Sequence, residues 1–401
     1  MQEIFSNLFE MTAFGAITWK TVLMWIIAFV LLYLGIKKKY EPLLLIPIGF
    51  GVLVANFPGA EMGIVDASNI ELGEGRYKNL FEIANEFGIL NFLYYSLIKT
   101  GFLPPIIFMG VGALTDFGPM LRNLRLAFFG AAAQIGIFTV LIGAILLGFN
   151  LNEAASLGII GGADGPTAIY TTIKLAPHLL GPIAIAAYSY MALVPVIIPL
   201  VSKLLITPKE FKINMKEMDK KYPSKRKIKN LKAVKIIFPI LLGTIVAIFV
   251  PSSVPLLGML LFGNLVKEVG TATSRLADAA SGPIMNTATI FLGLTVGATM
   301  TADVFLTPKT LGIIVGGFIA FALSITGGIL AVKGYNLFVT KKINPLIGAT
   351  GLSAVPMASR VANELALKYN SGNHILQYCM ASNISGVIGS AVAAGVLISL
   401  V

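Results

Sequence analysis

The chain has few of the side chains with which soluble enzymes usually do chemistry. Its 401 residues include one cysteine, Cys379, and two histidines, His178 and His374. One cysteine cannot form an internal disulfide, and two distant histidines do not match the ligand spacing of a metal site. The sequence also contains no P-loop, no dinucleotide-binding fingerprint and no nucleophile–histidine arrangement. These absences argue against an ATP-driven reaction within this chain.

Charge is scarce as well. Only 12% of the residues are charged and 56% are hydrophobic, with a mean hydropathy of +0.85, whereas soluble domains devote about a quarter of their positions to charge. This composition predicts an all-α, polytopic membrane protein. The net charge of +11 arises from Lys and Arg between apolar runs, where such residues record orientation in the bilayer. The charge therefore does not indicate a nucleic-acid partner.

Apolar runs of membrane type recur in both halves of the chain. Several are shorter than the roughly 20 residues that a straight crossing requires, so we expect tilt or partial insertion. A connection over residues 208–232, with ten Lys/Arg and three acidic residues, separates the halves. The predicted spans lie near 20–36, 42–57, 90–117, 126–149 and 180–205, and then near 233–250, 254–266, 284–300, 311–333 and 376–400.

The distribution of charge predicts a re-entrant segment. The positive-inside rule assigns residues 37–39, 122–125 and 208–232 to the cytoplasm, and the acid-rich residues 59–87 to the outside. If residues 154–176 crossed fully, the basic connection would lie outside. All basic loops lie inside when residues 154–176 enter and leave on the outer face.

Two glycine-rich tracts resemble each other and suggest a duplication. Gly162 to Ala168 reads Gly-Ala-Asp-Gly-Pro-Thr-Ala, and Gly348 to Ala354 reads Gly-Ala-Thr-Gly-Leu-Ser-Ala. Counting from the cytoplasm, the second tract re-enters near 344–358 from the inner face. The expected domains are therefore inverted-topology repeats over 1–207 and 233–401, a feature of secondary transporters with sites at the midplane. The matches are short, and small residues also recur in membrane helices for packing reasons.

Asp164 is the candidate residue of greatest interest. Glycines before it and Gly165-Pro166 after it cannot sustain a regular helix. Broken backbone at membrane depth is tolerated where it is buried in protein or lines a cavity. The free carbonyl groups of such a backbone, together with the Asp164 carboxylate, would suit a hard cation such as Na⁺ or H⁺. The alternative is an Asp that caps a helix near the interface.

Neutral oxygens accompany this carboxylate in the second half. Asn344 opens the second break, Gly348 loosens it, Ser353 offers a hydroxyl, and Asn383 places an amide in the last span. One carboxylate with neutral ligands suits a monovalent ion, because a fully acidic cage would favour Ca²⁺. The alternatives are a backbone hydrogen bond for Ser353 and helix packing for Asn383.

Two further residues have less specific signals. Arg360 follows the second break and could clamp a carboxylate, although an inside-facing Arg usually marks orientation. Tyr190 could reach the site from its span, although most membrane tyrosines are interfacial anchors.

Gly161 to Tyr170, which reads Gly-Gly-Ala-Asp-Gly-Pro-Thr-Ala-Ile-Tyr, resembles the signature of the β subunits of sodium-translocating carboxylic acid decarboxylases. The similarity continues from Asn344 through Ser353 to Arg360, and through a final tract from Asn383 to Gly395. It covers nearly the whole chain.

This resemblance implies a division of labour. In such a complex, a carboxyltransferase α subunit moves CO₂ onto biotin on a carrier, and the β subunit decarboxylates that carboxybiotin in the bilayer. Proton uptake then accompanies Na⁺ export. The resemblance further implies a small γ/δ membrane subunit, a β homotrimer, an elevator-like mobile core against a scaffold, and a bacterial or archaeal cytoplasmic membrane. The residues that it implicates in Na⁺ binding and coupling are Asp164, Tyr190, Asn344, Gly348, Ser353, Arg360 and Asn383.

Our mechanistic hypothesis combines the two lines of reasoning. Asp164, Asn344 and Asn383 would hold one Na⁺, while Ser353, with Tyr190, would help to hold a second. Arg360, together with Asn344, would meet carboxybiotin, which is presented in trans. The competing interpretation is a gradient-driven transporter, either a Na⁺-coupled carboxylate carrier or a Na⁺/H⁺ antiporter. The acid that feeds the complex, the number of ions per turnover and the role of residues 1–19 do not follow from the sequence.

Overall fold

A computed structural model describes residues 12–73, 76–223 and 228–401. Residues 1–11 and 224–227, which belong to two segments discussed above, lie outside this description. Helices dominate both halves, as predicted. Those of seven residues or more in the first half are α1 (Trp19–Ile36), α2 (Pro42–Ala55), α3 (Leu80–Leu93), α4 (Leu103–Leu114), α5 (Leu124–Ala133), α6 (Ile135–Leu146), α7 (Leu151–Gly158), α8 (Gly165–Leu175) and α9 (Leu180–Leu205).

The second half continues in the same way after a short helix in the basic connection. A two-stranded antiparallel ribbon, β1 (Glu71–Gly73) and β2 (Arg76–Tyr77), lies in the acid-rich segment between α2 and α3. The remaining helices are α10 (Met215–Lys221), α11 (Leu231–Phe249), α12 (Val254–Val269), α13 (Met285–Ala298), α14 (Pro308–Phe338), α15 (Met357–Tyr369) and α16 (Leu376–Leu400).

Among the described residues, six helical stretches are long and apolar enough to cross a membrane, or up to eight when each of two bent pairs is counted as one span. Outward-facing apolar side chains on α1 and α11, such as Phe29 and Ile248, suit a lipid environment. The protein is therefore a multi-pass, all-α membrane protein.

The chain folds into two compact units, and each unit takes residues from both halves of the sequence. Of the described residues, unit 1 contains 12–73, 76–103 and 286–312, and unit 2 contains 104–223, 228–285 and 313–401. These units are a different division from the predicted repeats over 1–207 and 233–401. The repeat boundaries stay a prediction.

A helix pair in unit 1 is locked by an asparagine and a glycine. The side-chain amide of Asn56, at the end of α2, donates to the Met300 carbonyl at 2.7 Å, and its oxygen accepts from Ala302 N at 3.0 Å. A Cβ on Gly297 of α13 would lie 2.2 Å from the Ile48 carbonyl oxygen. The two helices are therefore in backbone contact and leave no room for a side chain.

A pair in unit 2 is built in the same manner. Asn264 of α12 donates to the Thr115 carbonyl at the end of α4, at 2.7 Å. A Cβ on Gly112 would lie 1.9 Å from the Leu260 carbonyl oxygen. Thus each half of the sequence supplies an asparagine that binds the end of a helix from the other half. The duplication inferred from sequence stays a prediction.

Candidate functional site: the junction of two broken hairpins

The first glycine-rich tract forms a hairpin whose ends meet. Helix α7 is followed by a 3₁₀ turn, Ile159–Gly162, and then by α8. Glu153 near the start of α7 and His178 after α8 lie 2.8 Å apart, between Oε1 and Nε2. Because the two ends touch, the chain leaves the hairpin where it entered. The entry of residues 154–176 from the outer face of the membrane stays a prediction.

The second tract also returns to its starting point. It consists of a 3₁₀ segment, Pro345–Thr350, a break and helix α15. Asn344 before it and Asn373 after it both donate side-chain hydrogen bonds to the Phe211 and Ile213 carbonyls, at 3.0–3.2 Å. Asn344 and Asn373 therefore lie side by side, and the predicted re-entry near 344–358 stays a prediction. Both of its ends are fixed to the connection between the halves.

The tips of the two hairpins bind each other. The Ser353 backbone N–H donates to the Gly162 carbonyl at 3.1 Å. The Ser353 hydroxyl donates to Ser390 Oγ at 2.8 Å, and the Ser390 hydroxyl donates to Asp164 Oδ2 at 2.8 Å. A continuous chain of hydroxyls thus joins the second break, helix α16 and the carboxylate of the first break.

Asp164 is held in a strained and tightly packed turn. Its Oδ1 caps α8 by accepting from Thr167 N at 3.1 Å. Ala163 before it has φ +56°, a left-handed conformation that is uncommon for residues other than glycine. Gly165 after it packs on the ring of Tyr188, and a Cβ there would lie 2.2 Å from that ring. The carboxylate is therefore both a cap and a buried group, with 5% of its residue surface exposed.

Neutral oxygens in the same region accept no hydrogen bond from the described residues. Asn383 donates to the carbonyls of Thr350 and Leu352, which leaves Oδ1 unpaired. The Thr167 hydroxyl oxygen is also buried and unpaired. Within the described ranges, no three His, Cys, Asp or Glu side chains come together. One carboxylate among hydroxyl and amide oxygens fits a hard monovalent cation better than a transition metal.

The structure gives Asn344 and Gly348 other contacts. The Asn344 amide is engaged by the Phe211 and Ile213 carbonyls, and its oxygen accepts from Leu346 N. A Cβ on Gly348 would lie 2.0 Å from the Gly328 carbonyl oxygen of α14. These contacts describe an anchor and a close backbone approach, and the proposed cation-binding roles of both residues stay predictions.

Tyr190 and Arg360 also lie outside the hydrogen-bonded chain around Asp164. The Tyr190 hydroxyl donates to the Ile314 carbonyl, and its ring packs on Phe318 and Phe321. Arg360 is exposed on α15, in the descending arm of the second hairpin. Their catalytic roles stay predictions as well.

Ser390 and Gln134 were missed from the sequence, although both left a signal. Ser390 lies seven residues after Asn383, so the two side chains share one face of α16. Gln134 is an amide within the apolar run 126–149, where α5 gives way to α6. Its Nε2 donates to the carbonyls of Gly130, Gly351 and Gly386 at 3.2–3.3 Å.

Comparison with known proteins is consistent with these features. A profile of the family described as the Na⁺-transporting oxaloacetate decarboxylase beta subunit matches residues 20–401. The oxaloacetate decarboxylase beta chain of Klebsiella pneumoniae is 45% identical over 94% of this chain and 94% of its own length. The methylmalonyl-CoA decarboxylase subunit beta of Propionigenium modestum is 46% identical over 100% of both chains.

A third relative, the glutaconyl-CoA decarboxylase subunit beta of Acidaminococcus fermentans, is 44% identical over 99% of this chain and 97% of its own length. The profile covers the two hairpins and helix α16, which together carry the Asp164 hydrogen-bonded chain. The resemblance inferred from Gly161 to Tyr170 is thereby confirmed. This chain belongs to the family of β subunits of Na⁺-transporting decarboxylases.

Proposed function

We propose that this chain decarboxylates carboxybiotin delivered by a biotin carrier, and couples that reaction to Na⁺ export with proton uptake. The observation that carries the proposal is the hairpin junction, where the buried carboxylate of Asp164 in the first hairpin is joined through the Ser390 hydroxyl of α16 to the Ser353 hydroxyl of the second hairpin. A site shared between two broken hairpins can change its ion occupancy when either hairpin moves.

Na⁺ is the cargo in this proposal, and Asp164 is its charged ligand. Ser353, through Ser390, and Asn383 belong to the same junction and supply neutral oxygens, so the site has one net negative charge. Asn344 and Gly348 complete the proposed set of site residues. Asn344 orients the start of the second hairpin, and Gly348 allows that hairpin to approach α14 closely. A carboxylate that binds a proton no longer binds Na⁺ well, so proton uptake by Asp164 would release the ion.

The proposed catalytic cation is Arg360. Its exposure on α15 makes the guanidinium accessible to a carboxylate that arrives from the side of the basic connection. Loss of CO₂ breaks the bond between the ureido nitrogen and the carboxylate carbon, and the nitrogen retains the electron pair and takes up one proton. In this proposal Asp164 and Tyr190 carry the proton that the ureido nitrogen takes up, and their protonation is coupled to Na⁺ release.

The remaining proposals concern the assembly. The proposed partners are the biotin carrier, a carboxyltransferase α subunit and a small γ/δ membrane subunit, with three β chains in a bacterial or archaeal cytoplasmic membrane. The inverted repeats and an elevator-like movement of a core against a scaffold belong to the same proposal. The relatives act on three different acids at 44–46% identity, so we infer that another subunit selects the acid.

The test is Na⁺ uptake by inverted vesicles that contain the whole decarboxylase complex, driven by oxaloacetate, methylmalonyl-CoA or glutaconyl-CoA. We expect avidin to block uptake, because it sequesters biotin, and Asp164→Asn to abolish both uptake and Na⁺-dependent decarboxylation. Asp303→Asn, at an exposed carboxylate paired with Lys20, is the matched control and should behave like wild type.

Two outcomes would contradict the proposal. Wild-type turnover in Asp164→Asn would exclude this carboxylate from coupling. Uptake that depends only on an ion gradient and ignores avidin would identify a gradient-driven carrier or antiporter instead.

A further inference from the structure

Gln134 lies at the same junction and contacts both the second break and α16. It is 6% exposed and stands where α5 passes into α6. Its Nε2 donates to the Gly351 carbonyl of the second break at 3.3 Å and to the Gly386 carbonyl of α16 at 3.3 Å. The side chain thus reaches from the first half of the sequence into the tip of the second hairpin.

The contacts of Nε2 determine where the amide oxygen points. Only the NH₂ group of an amide can donate to backbone carbonyls, so the assignment of nitrogen and oxygen follows from the chemistry of the neighbours. Oε1 therefore faces away from those carbonyls, and it is buried without a hydrogen-bond partner in the described part of the chain. An unpaired buried acceptor of this kind destabilises the fold unless a ligand compensates it.

The oxygen lies beside the first break. A Cβ on Gly162 would be 3.6 Å from Gln134 Oε1 and 3.1 Å from the Cβ of Ser390. Ser390 in turn donates to Asp164. Gln134 Oε1 is therefore close to the hydroxyl chain that ends on the carboxylate.

Asn383 repeats this arrangement on the other side of the same tip. Its amide donates to the Thr350 and Leu352 carbonyls, while the amide of Gln134 donates to the Gly351 carbonyl between them. Each amide leaves its own oxygen unpaired and buried. The two amides thus hold successive carbonyls of one break, and each keeps an oxygen without a partner among the described residues.

We propose that Gln134 Oε1 is a cation ligand at the hairpin junction and sets its preference for Na⁺. The inference rests on the proposed function, because it assumes that the junction binds Na⁺. An amide oxygen coordinates a metal ion but does not titrate, so it stabilises bound Na⁺ without competing for the proton. A ligand fixed by hydrogen bonds to two other elements also holds the coordination distance on which ion selection depends.

The experiment measures equilibrium binding of ²²Na⁺ to the purified full-length chain in lipid nanodiscs, with Li⁺ and K⁺ as competitors. Gln134→Met retains the length of the side chain but removes its oxygen and its N–H donors. We expect the half-saturating Na⁺ concentration to rise about tenfold, as loss of one ligand interaction of about 1.4 kcal/mol predicts. Gln377→Met, at an exposed glutamine on α16, should leave binding unchanged.

Gln134→Glu distinguishes a role of the side-chain oxygen as a cation ligand from bracing, by which we mean the hydrogen bonds from the side-chain N–H group to the neighbouring carbonyls. It keeps an oxygen but removes the N–H donors to the carbonyls, so a ligand role predicts Na⁺ binding at least as tight as in wild type, with altered competition by Li⁺. Equal weakening in the Met and Glu variants would assign Gln134 to bracing and overturn the proposal. Failure of both variants to fold would have the same meaning.

Asp164→Asn distinguishes this inference from the proposed function. If that variant loses Na⁺ binding while Gln134→Met binds within about twofold of wild type, the proposed function stands and the role of Gln134 falls. If Asp164→Asn binds Na⁺ normally, the proposed function itself fails.

Discussion

At the scale of single residues, we expect the removal of one oxygen atom to change the Na⁺ dependence of decarboxylation most at Ser390. Its hydroxyl is the hydrogen-bond donor to Asp164 Oδ2 and the acceptor from Ser353. A hydrogen bond to a charged group contributes about 1.5–3 kcal/mol. We therefore expect Ser390→Ala to raise the half-saturating Na⁺ concentration of decarboxylation by at least about tenfold.

Ser385→Ala is the control on the same helix, because the Ser385 hydroxyl donates to the Ala127 carbonyl. It should change Na⁺ dependence little. Equal Na⁺ dependence in the Ser390 variant and wild type would show that the carboxylate does not need this donor.

The sequence revealed single residues only when they conflicted with their surroundings. Asp164 was recognisable because a carboxylate in an apolar membrane segment is energetically costly and usually has a function. Gln134 and Ser390 were overlooked because small or neutral polar groups are common in membrane helices, and only the tertiary structure shows what they bind. The engagement of Asn344 by the Phe211 and Ile213 carbonyls could not be foreseen, since those residues lie more than 130 positions away.

At the scale of elements, the second hairpin packs on α14 through backbone atoms. A Cβ on Gly328 would lie 2.1 Å from the Gly348 carbonyl oxygen, whereas a Cβ on Gly334 of the same helix would meet nothing within 4 Å. We expect Gly328→Ala to lose about 1–3 kcal/mol of stability, as overpacking does. Gly334→Ala should be neutral or stabilising by up to about 1 kcal/mol, because alanine favours the helix.

Thermal unfolding of the two purified variants in one detergent compares them directly, with Na⁺-dependent turnover as a second measurement. If Gly328→Ala unfolded at the same temperature as Gly334→Ala, the hairpin would not need backbone contact with α14.

The elements themselves were largely predictable, because long apolar runs and helix-breaking glycines mark where membrane helices exist and where they stop. The boundary of the second hairpin was less accessible. Its last helix, Met357–Tyr369, mixes charged and apolar residues. The chain after this helix is fixed at Asn373, whose side chain donates to the Phe211 carbonyl. Such an end point depends on a contact between distant parts of the chain.

At the scale of the whole molecule, short sequence matches predict a duplication. Asn56 and Asn264 each bind the end of a helix from the other half of the sequence. The two compact units nevertheless mix residues of both halves. Sequence similarity shows which segments correspond, but it does not show which of them pack together.

The whole-molecule prediction concerns the faces of the membrane from which each hairpin enters. Cys379 is the only cysteine and is buried, so Cys379→Ala gives a background for single exposed cysteines. Asn152→Cys and Pro177→Cys flank the first hairpin, and Thr340→Cys and Ser371→Cys flank the second. Because the ends of each hairpin meet, each pair should be labelled from one face, the first pair from outside and the second from inside.

An impermeant maleimide applied to intact cells, and then to permeabilised ones, makes this measurement. Asn85→Cys in the acid-rich region and Lys216→Cys in the basic connection serve as the outer and inner references. Labelling of Asn152→Cys and Pro177→Cys from opposite faces would mean that residues 154–176 cross the bilayer completely. The basic connection would then lie outside, and two hairpins that enter from opposite faces could not form the junction on which the proposed ion exchange depends.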